Sequence, residues 1–117
     1  MEKLFLCNVS DIAENEIKKV ENSTHGDIAV YNLGGTFYAT ADLCTHATAS
    51  LSEGDIEDNL IVCPVHWGTF HIPTGKAEGF PCEIDLRTYP VEVEDGKVYA
   101  LIEQMVDEGS AIIAKAN

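Results

Sequence analysis

Apolar and polar residues alternate in short runs near the beginning of the chain. Four runs share this period of two: residues 4–8, 17–20, 28–33 and 36–40. Successive side chains of a β-strand point to opposite faces, so these runs predict four short strands. Gly34 and Gly35 separate the last two runs and predict a hairpin turn, because glycine adopts positive φ without strain. Residues 11–14 have the spacing of a helix capping box and predict at most one turn of helix.

A second hairpin is predicted near the end of the chain. Residues 89–94 and 97–102 alternate in the same way on either side of residues 95–96 (Asp-Gly), a strong signal for a two-residue turn. Val91 and Val93 are expected to face the core, while the glutamates that alternate with them face water. Many short strands joined by glycine and proline turns predict the all-β class.

The pattern predicts one domain with a distinct middle section. A chain of 117 residues has the length of a single domain. Residues 41–81 interrupt the alternation and hold most of the reactive side chains, as expected of a segment that carries a site on a β-scaffold. The alternation stops after residue 103, so we expect a domain of residues 1–103 and an appendage of residues 104–117.

The chain is strongly acidic, with a formal net charge of −13 from 20 acidic and 7 basic residues. Nucleic acids and anionic membrane surfaces select Lys and Arg, so this charge argues against both as partners. Between Lys19 and Lys76 there is no basic residue, and a site in this stretch lies in a negative field. No run approaches the roughly 18 apolar residues of a membrane-spanning helix. Because no export signal is recognisable, the expected compartment is the cytoplasm, where thiols stay reduced.

Two short motifs in the middle section each combine one cysteine with one histidine: residues 44–46 (Cys-Thr-His) and 63–66 (Cys-Pro-Val-His). A zinc ion with two Cys and two His ligands is one candidate, although zinc modules usually pair like ligands. A Rieske-type [2Fe–2S] cluster is favoured, because one of its irons takes two Cys and the other two His. Each mixed loop then supplies one ligand to each iron. Unrelated core cysteines and surface histidines would require two mixed pairs by coincidence.

The sequence resembles the Rieske-type ferredoxins that serve bacterial ring-hydroxylating oxygenases, over roughly residues 3–102. Besides the two motifs, the likeness is carried by residues 51–54 (Leu-Ser-Glu-Gly), Phe70, 74–75 (Thr-Gly), 89–93 and 95–98. It implies a Rieske iron–sulfur fold, in which a basal antiparallel β-sandwich bears a smaller cluster-binding subdomain, here about residues 41–81. It also implies one [2Fe–2S] cluster with four ligands: Cys44, His46, Cys63 and His66.

The resemblance also implies a soluble one-electron carrier, expected to be a monomer, and not an enzyme. Such a carrier accepts electrons from a flavoprotein NAD(P)H-dependent ferredoxin reductase and passes them to the terminal oxygenase of an aromatic ring-hydroxylating dioxygenase system. The chain has no nucleotide-binding glycine motif, so the flavin belongs to the partner. The aromatic substrate would be recognised by the oxygenase. The alternative is a Rieske-like small subunit of a nitrite reductase or of another oxidoreductase complex.

Several reactive or aromatic residues lie outside the predicted ligand set. Cys7 and Cys82 are expected to be buried thiols, and Trp67 is open to both core packing and an exposed docking contact. His25 is expected in a turn, and His71 is expected to have a structural role. The neighbourhood without basic residues predicts a reduction potential toward the bottom of the range of Rieske centres, about −150 to +300 mV.

Overall fold

The computed structural model describes residues 2–22, 24–45, 49–65, 68–79 and 84–102. Within these ranges the chain forms eleven strands and two short 3₁₀ turns. The strands are β1 (Glu2–Asn8), β2 (Glu16–Val20), β3 (Ile28–Leu33), β4 (Thr36–Ala41), β5 (Asp55–Glu57), β6 (Leu60–Val62), β7 (Thr69–His71), β8 (Ala77–Gly79), β9 (Thr88–Tyr89), β10 (Val91–Glu94) and β11 (Lys97–Ile102). The 3₁₀ turns cover Val9–Asp11 and Leu51–Glu53. The predicted all-β class is confirmed.

The strands form three antiparallel sheets, with the orders β1-β11-β10, β2-β3-β4-β9 and β5-β6-β7-β8. Both predicted hairpins are present. Strands β3 and β4 pair from Ile28↔Ala41 to Leu33↔Thr36 across the glycine turn, and β10 pairs with β11 up to Glu94↔Lys97. Strand β1 pairs with β11, so the two ends of the predicted alternation lie side by side in one sheet.

Strand β3 separates two hydrophobic cores. Ile28 and Val30 point into the first core, while Ala29 and Tyr31 point into the second, because neighbouring side chains of a strand alternate between faces. All four side chains are fully buried. The first core lies between the sheet of β3 and the sheet of β11, and the second core lies under the sheet of β5 to β8. The central sheet is therefore covered on both faces, and its second face supports the section that contains the two motifs.

The middle section is more regular than the sequence indicates. It contributes a complete four-stranded sheet, whose strands are three residues long. Ile61 and Phe70 of this sheet, together with Ile72 directly after β7, are buried in the second core. The boundaries at 41–81 and 1–103 stay predictions, and residues 104–117 lie outside the described residues.

Two local predictions were wrong. Val93 is 48% exposed, because it lies near the turn on the edge strand β10, whereas Val91 packs against the first core. The sequence placed a turn of helix at residues 11–14, but the observed 3₁₀ turn covers Val9–Asp11 and ends at Asp11. Asn8 is its N-cap residue, and the Asn8 N–H donates to the Asp11 carboxylate at 2.9 Å. Among the described residues, no helix has the length and apolar character needed to cross a membrane.

Candidate metal centre

The two cysteines of the motifs open two loops that are closed in the same way. The Cys44 N–H donates to the Ala49 carbonyl at 3.0 Å, and the Cys63 N–H donates to the Gly68 carbonyl at 2.7 Å. In both cases the acceptor lies five residues after the cysteine. The backbone therefore builds two loops of equal length, each beginning with a cysteine. Such a pair of matched loops can supply ligands to one shared group from two sides.

The thiols of Cys44 and Cys63 meet in the second core. The two residues are 3% and 0% exposed, and their side chains are close enough to hydrogen bond. Both are thiols and not halves of a disulfide. Burial is the main cause that raises the pKa of the Cys63 thiol to about 11; the Val65 backbone opposes this rise, and the neighbouring Cys44 adds to it. Binding of a metal at Cys63 must therefore displace its proton, since the thiolate is the ligand form.

The second loop is positioned by a β-hairpin. Strands β6 and β7 pair with the register Val62↔Thr69, so Cys63 follows one strand and Gly68 precedes the other. Ile61 and Phe70 face each other across the hairpin, and both are fully buried. The loop therefore extends from a rigid pair of strands.

In the described part of the chain, the first loop is not flanked by a pair of strands and depends on several separate contacts. A single β-bridge joins Leu43 to Ser50 on its two sides. The hydroxyl of Thr45 donates to the Ile84 carbonyl at 2.7 Å and ties the loop to a segment far along the chain. The carboxylate of Asp42, just before the loop, accepts hydrogen bonds from the Ser50 hydroxyl and the Ser52 N–H, which follow the loop. Sequence reasoning missed Asp42 as a site residue, because a lone acidic residue after a strand is usually solvated.

The two histidines of the predicted ligand set, His46 and His66, lie outside the described residues, as do Trp67 and Cys82. In sequence, His46 falls within the first loop and His66 within the second. Within the described ranges, no group of three or more His, Cys, Asp or Glu side chains could hold a metal ion. The structure therefore brings together the two cysteines of the set and leaves its two histidines as a prediction.

The remaining cysteine and histidines of the described ranges agree with the structural roles expected of them. Cys7 is 2% exposed and packs in the first core, on the other side of the central sheet from the two motif cysteines. The ring of His71 hydrogen bonds through Nδ1 to the Thr74 hydroxyl at 2.8 Å, within the turn that follows β7. His25 lies in a turn before Gly26. Cys7 is therefore separated from the site by the fold.

The donors present suit a group that is bound by thiolates and shared between two loops. Thiolate sulfur binds zinc and also the irons of iron–sulfur clusters, and two thiolates that bind one metal ion must lie close together. Two buried thiols at hydrogen-bonding distance meet this requirement, so the described residues fit either group. Comparison with known proteins decides between them.

A family model described as the Rieske [2Fe-2S] domain matches residues 2–90. The chain belongs to the Rieske [2Fe–2S] family. The cofactor is therefore one Rieske-type [2Fe–2S] cluster, and the zinc alternative is wrong. The Rieske fold implied by the sequence resemblance is confirmed as well.

Two related proteins and one solved structure indicate which kind of Rieske protein this is. It is 42% identical over 101 residues to ferredoxin CarAc of Metapseudomonas resinovorans, covering 86% of this chain and 94% of that protein. It is 43% identical over 100 residues to the 3-phenylpropionate/cinnamic acid dioxygenase ferredoxin subunit of Escherichia coli K12, covering 85% and 92%. A solved complex of reduced oxygenase and oxidized ferredoxin in carbazole 1,9a-dioxygenase matches with a TM-score of 0.82, 40% identity and coverage of 90% and 97%. This Rieske protein is thus an electron carrier and not an enzyme.

Proposed function

We propose that the cluster of this chain is held by Cys44, His46, Cys63 and His66. The adjacent buried thiols of the two cysteines support this ligand set, together with the matched loops in which the sequence places the histidines. In a Rieske centre the cysteines bind one iron and the histidines bind the other. Each loop would then supply one ligand to each iron.

The bound cluster supplies the chemistry of taking up and releasing one electron. The residues of the chain determine where this happens and how easily. Cys44 and Cys63 hold the thiolate ligands inside the second core, where water is excluded and the sulfurs are fixed by the loop backbones. The hairpin of β6 and β7 fixes one loop, and the contacts of Asp42 and Thr45 fix the other. A site held in this way changes its charge with little rearrangement of the protein.

This carrier transfers electrons from a flavoprotein NAD(P)H-dependent ferredoxin reductase to the terminal oxygenase of an aromatic ring-hydroxylating dioxygenase system, and we place it in the cytoplasm. The observation that carries this function is the identity of 42–43% to ferredoxins named for dioxygenase systems, over nearly their whole length. A related ferredoxin is also seen in complex with its oxygenase. The absence of basic residues from 20 to 75 favours partners with a basic docking face.

The acidic surface of the middle section supports such a docking mode. Four exposed carboxylates lie close together in sequence around strand β5: Glu53, Asp55, Glu57 and Asp58. The ion pairs found among the described residues involve Lys3 and Lys19 and none of these four. Arg87 stacks on the Tyr89 ring at 5.0 Å. The negative charge near the motifs is therefore left uncompensated by pairs within the described part of the chain.

Electron transfer in a system reconstituted with reductase and oxygenase is expected to slow as salt is added. Opposite charges steer the partners together, and this steering is screened over about 8 Å at physiological ionic strength. The measurement is the rate of oxygenase reduction between low and high salt, at fixed concentrations of all three proteins. A rate independent of ionic strength would contradict the steering. Stable co-purification with one large subunit would instead favour the small-subunit alternative.

The reduction potential is expected to lie toward the bottom of the range of Rieske centres, about −150 to +300 mV. Negative charge around a cluster opposes the entry of an electron, and the section that holds the motifs is acidic. A redox titration of the purified chain, followed by visible absorbance, measures the midpoint. A midpoint in the upper half of the range would show that the surface charge does not set the potential.

A further inference from the structure

Asp42 is a buried carboxylate directly before the first ligand loop. It is 3% exposed, although charged side chains are rarely buried without a partner. It precedes Cys44 by two residues, so the two Cα atoms are at most about 7 Å apart. It is the one buried acidic residue of the described ranges. A charge in this position needs a specific set of donors, and the structure provides them.

The donors come from the chain that follows the loop. The Ser52 N–H donates to Oδ1 of Asp42 at 2.8 Å, and the Ser50 hydroxyl donates to Oδ2. The hydroxyls of Ser50 and Ser52 are 2.9 Å apart, so Ser52 can donate in turn to Ser50. The backbone completes the link, because the Leu51 N–H donates to the Asp42 carbonyl at 2.7 Å. One carboxylate thus joins the two sides of the first ligand loop.

Asp42 has no ion-pair partner within the described residues; Lys19, which lines the same cavity as Asp42, pairs with Asp27 at 3.6 Å. Burial is the main cause that raises the pKa of the Tyr31 hydroxyl, and the charge of Asp42 adds to the rise. Tyr31 lies in the same core as Cys44 and Cys63. The field of this carboxylate therefore reaches into the core that holds the thiols, where water screens it little.

We propose that Asp42 is a positioning residue that holds the first ligand loop in place and lowers the reduction potential of the cluster through its buried negative charge. Reduction adds one electron to the cluster, with no bond formed or broken. A fixed negative charge nearby opposes that electron, and hydrogen bonding and charge around an iron–sulfur centre set its potential. The proposal rests on the cofactor and on the ligation by Cys44, and not on the identity of the partners.

The test compares Asp42→Asn with Asp58→Asn in the purified chain, without reductase or oxygenase. The amide keeps the shape of the carboxylate and can still accept from the Ser52 N–H, so the change removes mainly the charge. Asp58 is exposed and has a φ of 56°, a conformation that asparagine tolerates, so its variant removes the same charge at a surface position. We expect Asp42→Asn to raise the midpoint potential clearly above both the original chain and Asp58→Asn. Equal potentials for the two variants would overturn the proposal.

A third variant, Ser50→Ala, separates charge from loop position. It removes one donor and leaves the carboxylate charged and less compensated, so the potential is expected to fall, opposite to Asp42→Asn. A rise in both variants would indicate loosening of the loop alone and would overturn the role of the charge. If Asp42→Asn purifies without iron while Asp58→Asn keeps it, positioning of the loop is supported, and the sign of the Ser50→Ala shift then decides the role of the charge. Iron content, the electron paramagnetic resonance spectrum of the reduced protein and the midpoint are measured for each variant.

Discussion

A Cys63→Ala chain is expected to purify without iron and without the visible absorbance of the cluster. Cys63 is fully buried next to Cys44, and alanine leaves one iron with a single thiolate in a core that offers no third thiol among the described residues. The fold is also expected to weaken, because binding of a cluster contributes to the stability of the state that binds it. Iron content per chain and the absorbance spectrum measure the loss, and thermal unfolding measures the change in stability.

The matched control is Cys7→Ala. Cys7 is 2% exposed, so the same side chain is removed from an equally buried position, but in the first core and on the other side of the central sheet. We expect this variant to keep its iron, with a loss of about 1 kcal/mol in the free energy of unfolding, as for an average single substitution. Retention of the full cluster by Cys63→Ala would contradict the ligand set. Loss of iron from Cys7→Ala would show that the two cores are not independent.

The longer strands could be predicted because each carries its own periodic signal. Strands β3, β4 and β11 have six residues each, enough for the alternation to repeat. Strands β5 to β8 have three residues each, and a period of two cannot be recognised over three positions. These short strands are specified by their partners, through hairpin pairing and through burial of Ile61 and Phe70 in the second core. The sheet that supports the site was therefore the part of the fold that sequence reasoning missed.

The same distinction applies to the candidate site. The pairing of Cys44 with Cys63 followed from two motifs that each lie within four residues, and the structure brings these two side chains together. Asp42 shows no such local signal, because its hydrogen-bond donors lie eight and ten residues later, across the first loop. Its burial depends on the tertiary structure. Val93 shows the opposite case: the local alternation predicted burial, but the residue lies on the edge strand β10, where no described residue covers it and it stays exposed.

Replacing Gly75 with alanine is expected to destabilise the protein by about 3 kcal/mol or more, at the upper end of what overpacking and single substitutions cost. Gly75 has a φ of +77°, and a Cβ atom there would collide with the Leu86 carbonyl and lie 2.7 Å from Cγ2 of Thr88. The Leu86 N–H also donates to the Gly75 carbonyl at 2.7 Å. The segment around Leu86 cannot move away cheaply, because Leu86 is buried in the second core and the Ile84 carbonyl accepts the hydrogen bond from Thr45.

Gly96→Ala separates this steric conflict from the cost of the backbone conformation. Gly96 has a φ of +75°, almost the same as Gly75, but a Cβ atom there would meet no atom within 4 Å. Its variant should therefore lose only the cost of a left-handed residue, about 1–2 kcal/mol. Unfolding in urea, followed by circular dichroism, gives both free energies, and we expect Gly75→Ala to lose iron as well. The segment of Ile84 and Leu86 holds the first ligand loop through the hydrogen bond from Thr45. If both variants lost the same free energy of unfolding, this segment would have moved away from the Gly75→Ala side chain at no cost. It would then be too mobile to support the loop.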